Sequence, residues 1–249
     1  MISLIYFTYR PGGFDLLIDS LKRQKDADGL WELVVVDDGK KVSVNEKGVV
    51  SDVYYRDVSE LIKEAGLPLR WYGRSKEKKY RDARFGVANA MNTGLRYSKG
   101  DIMLYVHDYT FLNPNALRMW CDAYTESKKK LVVGVGKEHY YNGKFLIGDC
   151  SIFDPPFESF DDDRFHWYHD WIPEEFELFY SAYPREFIDD IGGFDEKCDF
   201  NMSSDYLRIV GQAKERGYKL EVDKKNWVNI VNHRQWKMID PKLWNVMLK

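Results

Sequence analysis

The sequence predicts an α/β domain of the Rossmann-like kind, with a mixed, mainly parallel central sheet flanked by helices. Three observations predict it. Short apolar runs such as ISLIYFT (2–8), WELVVV (31–36) and IMLYV (102–106) alternate with segments whose apolar residues recur at helical spacing. Those runs are apolar on both faces, as parallel strands covered by helices on two sides must be. Each also ends in turn or polar residues, Arg10-Pro11-Gly12-Gly13, Asp37-Asp38-Gly39 and His107-Asp108-Tyr109. Polar side chains therefore gather at strand carboxyl ends, where open α/β sheets bind ligands. The chain has 249 residues, 44% of them hydrophobic, enough for one sizeable core and short for two complete domains, so a single domain is expected.

Taken in order, Ile2 to Thr8 is a buried strand closed by the Pro-Gly-Gly turn. Phe14, Leu17, Ile18 and Leu21 predict a helix over 14–24. With the strand at 31–36 the opening is β-α-β with a parallel pair, which makes a nucleotide-binding half the natural expectation. A helix over 53–65, a short strand at 69–72 and a basic loop over 76–84 lead to a helix near 87–97 that Gly100 closes. After the 102–106 strand come a helix over 116–125 and a strand at 131–135. The stretch 150–175 reads as irregular, and its aromatic content argues against disorder. A Gly192-Gly193 turn, a helix from about 204 to 216, a short strand at 219–222 and a tail complete the chain. There is no internal repeat or flexible linker.

A net charge of −3 does not advertise a polyanion partner, although Lys76 to Arg81 and Lys128 to Lys130 are local basic clusters. Cys121, Cys150 and Cys198 lie far apart, which excludes a disulfide framework and a C-x-x-C metal site and fits a reducing, cytoplasmic setting. No apolar run approaches the ~20 residues that cross a bilayer, so no membrane span is expected. Aromatic residues reach 16%, many within 157–179. They suit stacking on flat or sugar-like ligands, or else fill a loop-rich core.

Four segments stand in a fixed order along the chain. They are Ile2 to Thr8 with Tyr9-Arg10-Pro11; Val34-Val35-Val36-Asp37-Asp38-Gly39; Gly86 to Leu95 (GVANAMNTGL) running through Lys99-Gly100-Asp101; and Arg185-Glu186-Phe187 with Gly192-Gly193-Phe194-Asp195-Glu196, followed by Asp205 twelve positions before Gly217. Together they resemble the signature of family-2 inverting glycosyltransferases, enzymes of the GT-A fold. The resemblance implies a nucleotide-binding half over 1–110, an acceptor-binding half over 111–230 and a C-terminal tail over 231–249. It also implies transfer of a sugar, with inversion, from a nucleotide-diphosphate donor to an acceptor hydroxyl. A UDP-sugar is favoured, with dTDP and GDP open. The acceptor is a glycan or another hydroxyl; a nucleic-acid acceptor is not supported by the net charge.

Inverting transfer needs a nucleoside pocket, positive charge on the leaving diphosphate and a base for the acceptor hydroxyl. By resemblance, Thr8 and Asp37 grip the base and ribose, flanked by Tyr9 and Arg10, with Asp38 the runner-up; a plain turn would also use Asp37-Asp38-Gly39. Arg84, after Lys78, Lys79 and Arg81, meets the diphosphate unless this run is only a solvated face. Asn92 belongs with the nucleotide residues, although its place also suits helix packing. The family's Asp-x-Asp aligns with His107-Asp108-Tyr109, replacing both aspartates while the middle position is acidic. His107 then neighbours the nucleotide, or is a buried histidine. Asp108, with His233 near the C-terminal end, would hold Mn²⁺ or Mg²⁺. Asp205 is the general base, Asp199 the alternative; a carboxylate at a helix start can also merely oppose the helix dipole. Trp167, His169 and Trp171 would line an acceptor platform. Two competing readings are a catalytically degenerate GT-A module and a sugar nucleotidyltransferase, the latter lacking its Gly-rich, Lys-containing loop after the first strand.

Overall fold

A computed structural model of the chain describes residues 1–8, 14–38, 42–44, 50–52, 59–75, 86–107, 110–139, 166–167, 180–200 and 205–231. The first strands and helices follow the predicted order, β1 (Ile2–Thr8), α1 (Phe14–Lys22), β2 (Trp31–Asp37), α2 (Ser59–Glu64), β5 (Leu69–Gly73), α3 (Val87–Tyr97) and β6 (Ile102–His107), with an unpredicted β3–β4 hairpin (Val42–Val44, Val50–Asp52) between β2 and α2. Next come β7 (Thr110–Leu112), α4 (Ala116–Ala123), β8 (Lys130–His139), β9 (His166–Trp167), β10 (Tyr180–Pro184), α5 (Arg185–Asp190), α6 (Lys197–Phe200), α7 (Tyr206–Glu215) and β11 (Lys219–Val231).

Among the described residues one mixed sheet runs in the order β5-β2-β1-β6-β10-β8-β11-β7, with β9 hanging on β8. The β5-β2-β1-β6 half is parallel. β10 is inserted antiparallel to both β6 and β8, so β8 runs in the direction of β6. β1 and β2 are buried along their whole length, and the two-residue period of a strand divides them between two cores. Ile2, Leu4, Tyr6, Leu33 and Val35 pack with Leu17 and Leu21 of α1 and Leu117 and Trp120 of α4. Ile5, Phe7, Val34 and Val36 pack on the other face with Met91 of α3, Phe187 of α5 and Ile209 of α7. The α3 contact is close: a Cβ on Gly94 would strike Cγ2 of the fully buried Ile5. Gly94→Ala is therefore expected to lower stability by about 1–3 kcal/mol in urea denaturation, because neither the helix nor a β-branched side chain has room to yield.

Three expectations are corrected. α3 ends at Tyr97 with Ser98 as its cap, extended at φ −87° and donating its N–H to the Gly94 carbonyl at 3.0 Å. Gly100 does not close this helix; it lies against Ser3, donating its N–H to Ser3 Oγ at 2.7 Å. The strand expected at 219–222 continues to Val231, because β11 steps over an irregularity between Asp223 and Trp227 and then pairs with β8 as far as His139. Within the polar run there, Asn226 Nδ2 and the Lys225 N–H both donate to the Asp223 carboxylate. Finally, β9 is a strand inside the stretch expected to be irregular.

Four phenols, Tyr105, Tyr124, Tyr180 and Tyr183, are buried, and burial raises each above the ordinary value of 10.0. They are paired while neutral; Trp120 Nε1 donates to Tyr180 Oη at 2.8 Å, and Tyr124 Oη donates to the Ala182 carbonyl at 2.7 Å. The folded chain keeps these protons above the pH at which the unfolded chain releases them. Their contribution to stability is complete below pH 10 and declines as pH rises beyond it. The midpoint of thermal unfolding should fall above that pH, and tyrosinate absorbance from these four should appear together with loss of structure.

Candidate active site at the carboxyl edge of the sheet

The strand register assembles the first part of the site. β2, β1 and β6 lie side by side and parallel, with Thr8 opposite Asp37 and Phe7 opposite His107. Three polar side chains thus end adjacent strands at one edge. Thr8 and Asp37 are buried and His107 is half-buried. The Asp38 N–H donates to the Thr8 carbonyl at 2.8 Å, extending the β1–β2 pairing one step past the strands.

The two aspartates have different tasks. Asp38 accepts from the Ser75 N–H at 2.9 Å and from Ser75 Oγ, so it fixes the exit from β5. Asp37 Oδ2 accepts from Tyr72 Oη at 2.7 Å, a hydroxyl supplied by the next strand in the sheet. A carboxylate held from one side by a phenol is oriented for donors on its other lone pairs. Tyr72 and Ser75 were not among the sequence candidates; the only signal was a polar ring and a hydroxyl at the end of a short strand.

α3 begins at the same edge, since it follows the carboxyl end of the parallel strand β5. Its first N–H groups would be orphans, but Asp199 of α6 takes them, accepting from Ala88 at 2.8 Å and Asn89 at 3.0 Å. A Cβ on Gly86 would meet Asp199 Oδ2 at 2.5 Å. Asp199, the alternative base, is thereby committed to a helix start. Asn92 is committed too: its Nδ2 donates to the Phe194 carbonyl and Glu196 Oε1, and its Oδ1 accepts the Phe194 N–H at 2.8 Å. It ties α3 to the 191–196 turn, as its packing role suggested, rather than reaching toward the strand ends.

Asp205 sits at the N-cap position of α7 without capping it. Its side chain is 2% exposed and pairs with Arg208 one turn on, while its Oδ2 also accepts the Asp195 N–H at 2.8 Å. With Arg208, which donates to the Gly193 carbonyl, it joins α7 to the Gly192-Gly193 turn, whose φ values of +77° and +84° require glycine. Of the sequence candidates, the edge unites Thr8, Asp37, Asp38 and His107, while Asp205 stands at the start of α7. Trp167 lies in β9, paired with Lys137 near the carboxyl end of β8 and so at this same edge. Tyr9, Arg10, Lys78, Lys79, Arg81, Arg84, Asp108, His169, Trp171 and His233 lie outside the described residues. Among the described residues no three His, Cys, Asp or Glu side chains converge on a point that could hold a metal, and no helix is long and apolar enough to cross a membrane.

No protein-family model matches the chain, and no curated protein matches it in sequence. Solved structures match it in fold. TarS of S. aureus in complex with UDP superimposes with a TM-score of 0.59 at 17% identity, over 99% of this chain and 65% of that one. The mannosyltransferase PcManGT from Pyrobaculum calidifontis, in complex with GDP-Man and Mn²⁺, gives 0.54 at 16% identity over 92% and 56%. GalNAc-T7 with UDP, GalNAc and Mn²⁺ gives 0.61 at 14% identity over 93% and 43%. The chain thus spans less than two thirds of each of these structures. The sheet and these likenesses define the class: the chain has the GT-A fold.

Proposed function

We propose that this chain is a glycosyltransferase that moves a sugar from a nucleotide-diphosphate donor, a UDP-sugar by preference, to an acceptor hydroxyl with inversion. The observation that carries the reading is the register that ends three neighbouring parallel strands in Thr8, Asp37 and His107. Support also comes from the nucleotides in TarS and PcManGT, which share the fold. In this reading Asp37, held by Tyr72, and Thr8 receive the nucleoside, with Tyr9, Arg10 and His107 beside it. Arg84 and the lysines before it face the departing diphosphate. The acceptor rests against Trp167, His169 and Trp171. As its oxygen bonds the anomeric carbon, the bond to the diphosphate breaks, and the hydroxyl proton passes to Asp205. A divalent cation would supply further positive charge at the diphosphate; the residues that would hold it are Asp108 and His233, next to His107. The described residues offer no complete ligand set for it.

The test is release of nucleoside diphosphate from UDP-glucose, UDP-GlcNAc, UDP-GalNAc and GDP-mannose, each with Mn²⁺. The proposal expects one donor to be consumed, more slowly with water alone than with a hydroxyl acceptor. A second reading, a degenerate module that binds nucleotide without turnover, is favoured by the burial of Asp205 between Arg208 and the Asp195 N–H. Binding of a nucleotide without consumption of any donor would select it.

A further inference from the structure

We propose that Arg208 is a positioning residue which turns the Asp205 carboxylate so that Oδ1, and not Oδ2, takes the proton from the attacking hydroxyl. The inference rests on Asp205 being the base and names the geometry that would make it one.

Asp205 and Arg208 stand three residues apart at the start of α7, where side chains at that spacing meet on one helix face. The guanidinium is held independently of the carboxylate. Its Nη2 donates to the Gly193 carbonyl at 2.6 Å and its Nη1 to the Ile191 carbonyl at 3.3 Å. Those carbonyls come from a preset turn, since a Cβ on Gly193 would meet Asn92 Oδ1 at 2.7 Å and Asn92 is itself bound to Phe194 and Glu196. The fork is therefore a fixed template and the carboxylate conforms to it.

The two oxygens are not equivalent. Oδ2 accepts from Arg208 Nη2 at 2.5 Å, from Nε at 3.1 Å and from the Asp195 N–H at 2.8 Å. An oxygen with two lone pairs is saturated by these donors. Among the described residues Oδ1 accepts from Arg208 Nε alone, at 2.8 Å. Among the described residues one lone pair on Oδ1 is thus left for an incoming hydroxyl, and its direction is set by Arg208. This is the arrangement in which a base is oriented by a third group. With water as the acceptor, the water oxygen bonds the anomeric carbon, the carbon–oxygen bond to the diphosphate breaks with its electron pair, and the water proton ends on Oδ1.

The experiment measures donor consumption with UDP-GlcNAc, or whichever donor of the panel is turned over, for Arg208→Met, Arg208→Lys, Asp205→Asn and Asp205→Asn/Arg208→Met. Arg208→Met should lower kcat about 10²-fold, the scale of a small misplacement of a reacting group, with the donor KM unchanged. Arg208→Lys, which keeps the charge and loses the fork, should fall between it and the parent. The double variant should lose no more than Asp205→Asn alone, because groups that act as a unit are not additive. If Arg208→Met turns over like the parent, or its loss adds in full to that of Asp205→Asn, the positioning role is wrong while the base survives. If Asp205→Asn itself retains full turnover, the base reading fails first. Should Arg208→Met not fold, Arg208→Lys carries the decision: parental kcat refutes the role, and a lowered kcat at constant KM supports it.

Discussion

Asp205→Asn is expected to reduce kcat for donor consumption by about 10²–10⁴-fold, the range a general base contributes. The substitution preserves size and keeps an oxygen to accept from Arg208, but an amide cannot hold the acceptor's proton. Because the deprotonation occurs only as the acceptor attacks, kcat and kcat/KM should fall together while the donor KM stays put. Some stability should also be lost. The amide presents N–H where either the Arg208 fork or the Asp195 N–H now donates, and a mismatched buried partner costs about 1–3 kcal/mol. A thermal-unfolding measurement on the same sample separates the two effects, since a fold defect would lower the active fraction and nothing more.

The second large effect divides the paired aspartates. Asp37→Ala should raise the donor KM about 10- to 100-fold, corresponding to about 1.5–3 kcal/mol for a hydrogen bond to a charged group. Asp38→Ala should leave KM near its parental value and instead loosen the exit from β5, because its carboxylate is engaged by both the N–H and the hydroxyl of Ser75. Tyr72→Phe should produce a weaker version of the Asp37 effect, since it removes only the phenol that orients that carboxylate. Steady-state kinetics on the three variants decide the assignment. A larger KM change for Asp38→Ala than for Asp37→Ala would reverse it.

The parts of this architecture that were legible in sequence are those whose burial is uniform. β1, β2 and β6 are covered on both faces and so appear as unbroken apolar runs, and α3 carries its apolar face at regular spacing. β10 was missed because its segment, YSAYP, is buried yet rich in hydroxyls, which find partners only inside the fold, as Tyr180 does with Trp120. The far half of β11 was missed because the polar run from Asp223 to Asn226 interrupts the pattern where the strand steps out of register.

The site divides in the same way. The place of Thr8 and Asp37 at adjacent strand ends was legible because a strand end is a local feature. The contacts of Tyr72 and Arg208 were not, because they are made with a neighbouring strand and with a turn earlier in the chain. Asp199 and Asn92 show the converse. Both are residue types suited to ligands, and both are used by backbone groups that would otherwise be buried without partners.

Whether the carboxyl edge around Thr8 and Asp37 holds the nucleotide of a sugar donor is decided by thermal unfolding of the purified chain with UDP, GDP, dTDP and their sugars, with and without Mn²⁺. A ligand bound only by the folded state stabilises it by RT ln(1 + [L]/Kd), about 2.7 kcal/mol at a hundredfold excess over Kd. A uridine nucleotide should raise the midpoint, and Asp37→Ala should cut the rise by about half or more. An unchanged midpoint with every nucleotide, or a rise that persists undiminished in Asp37→Ala, would contradict a nucleotide site there.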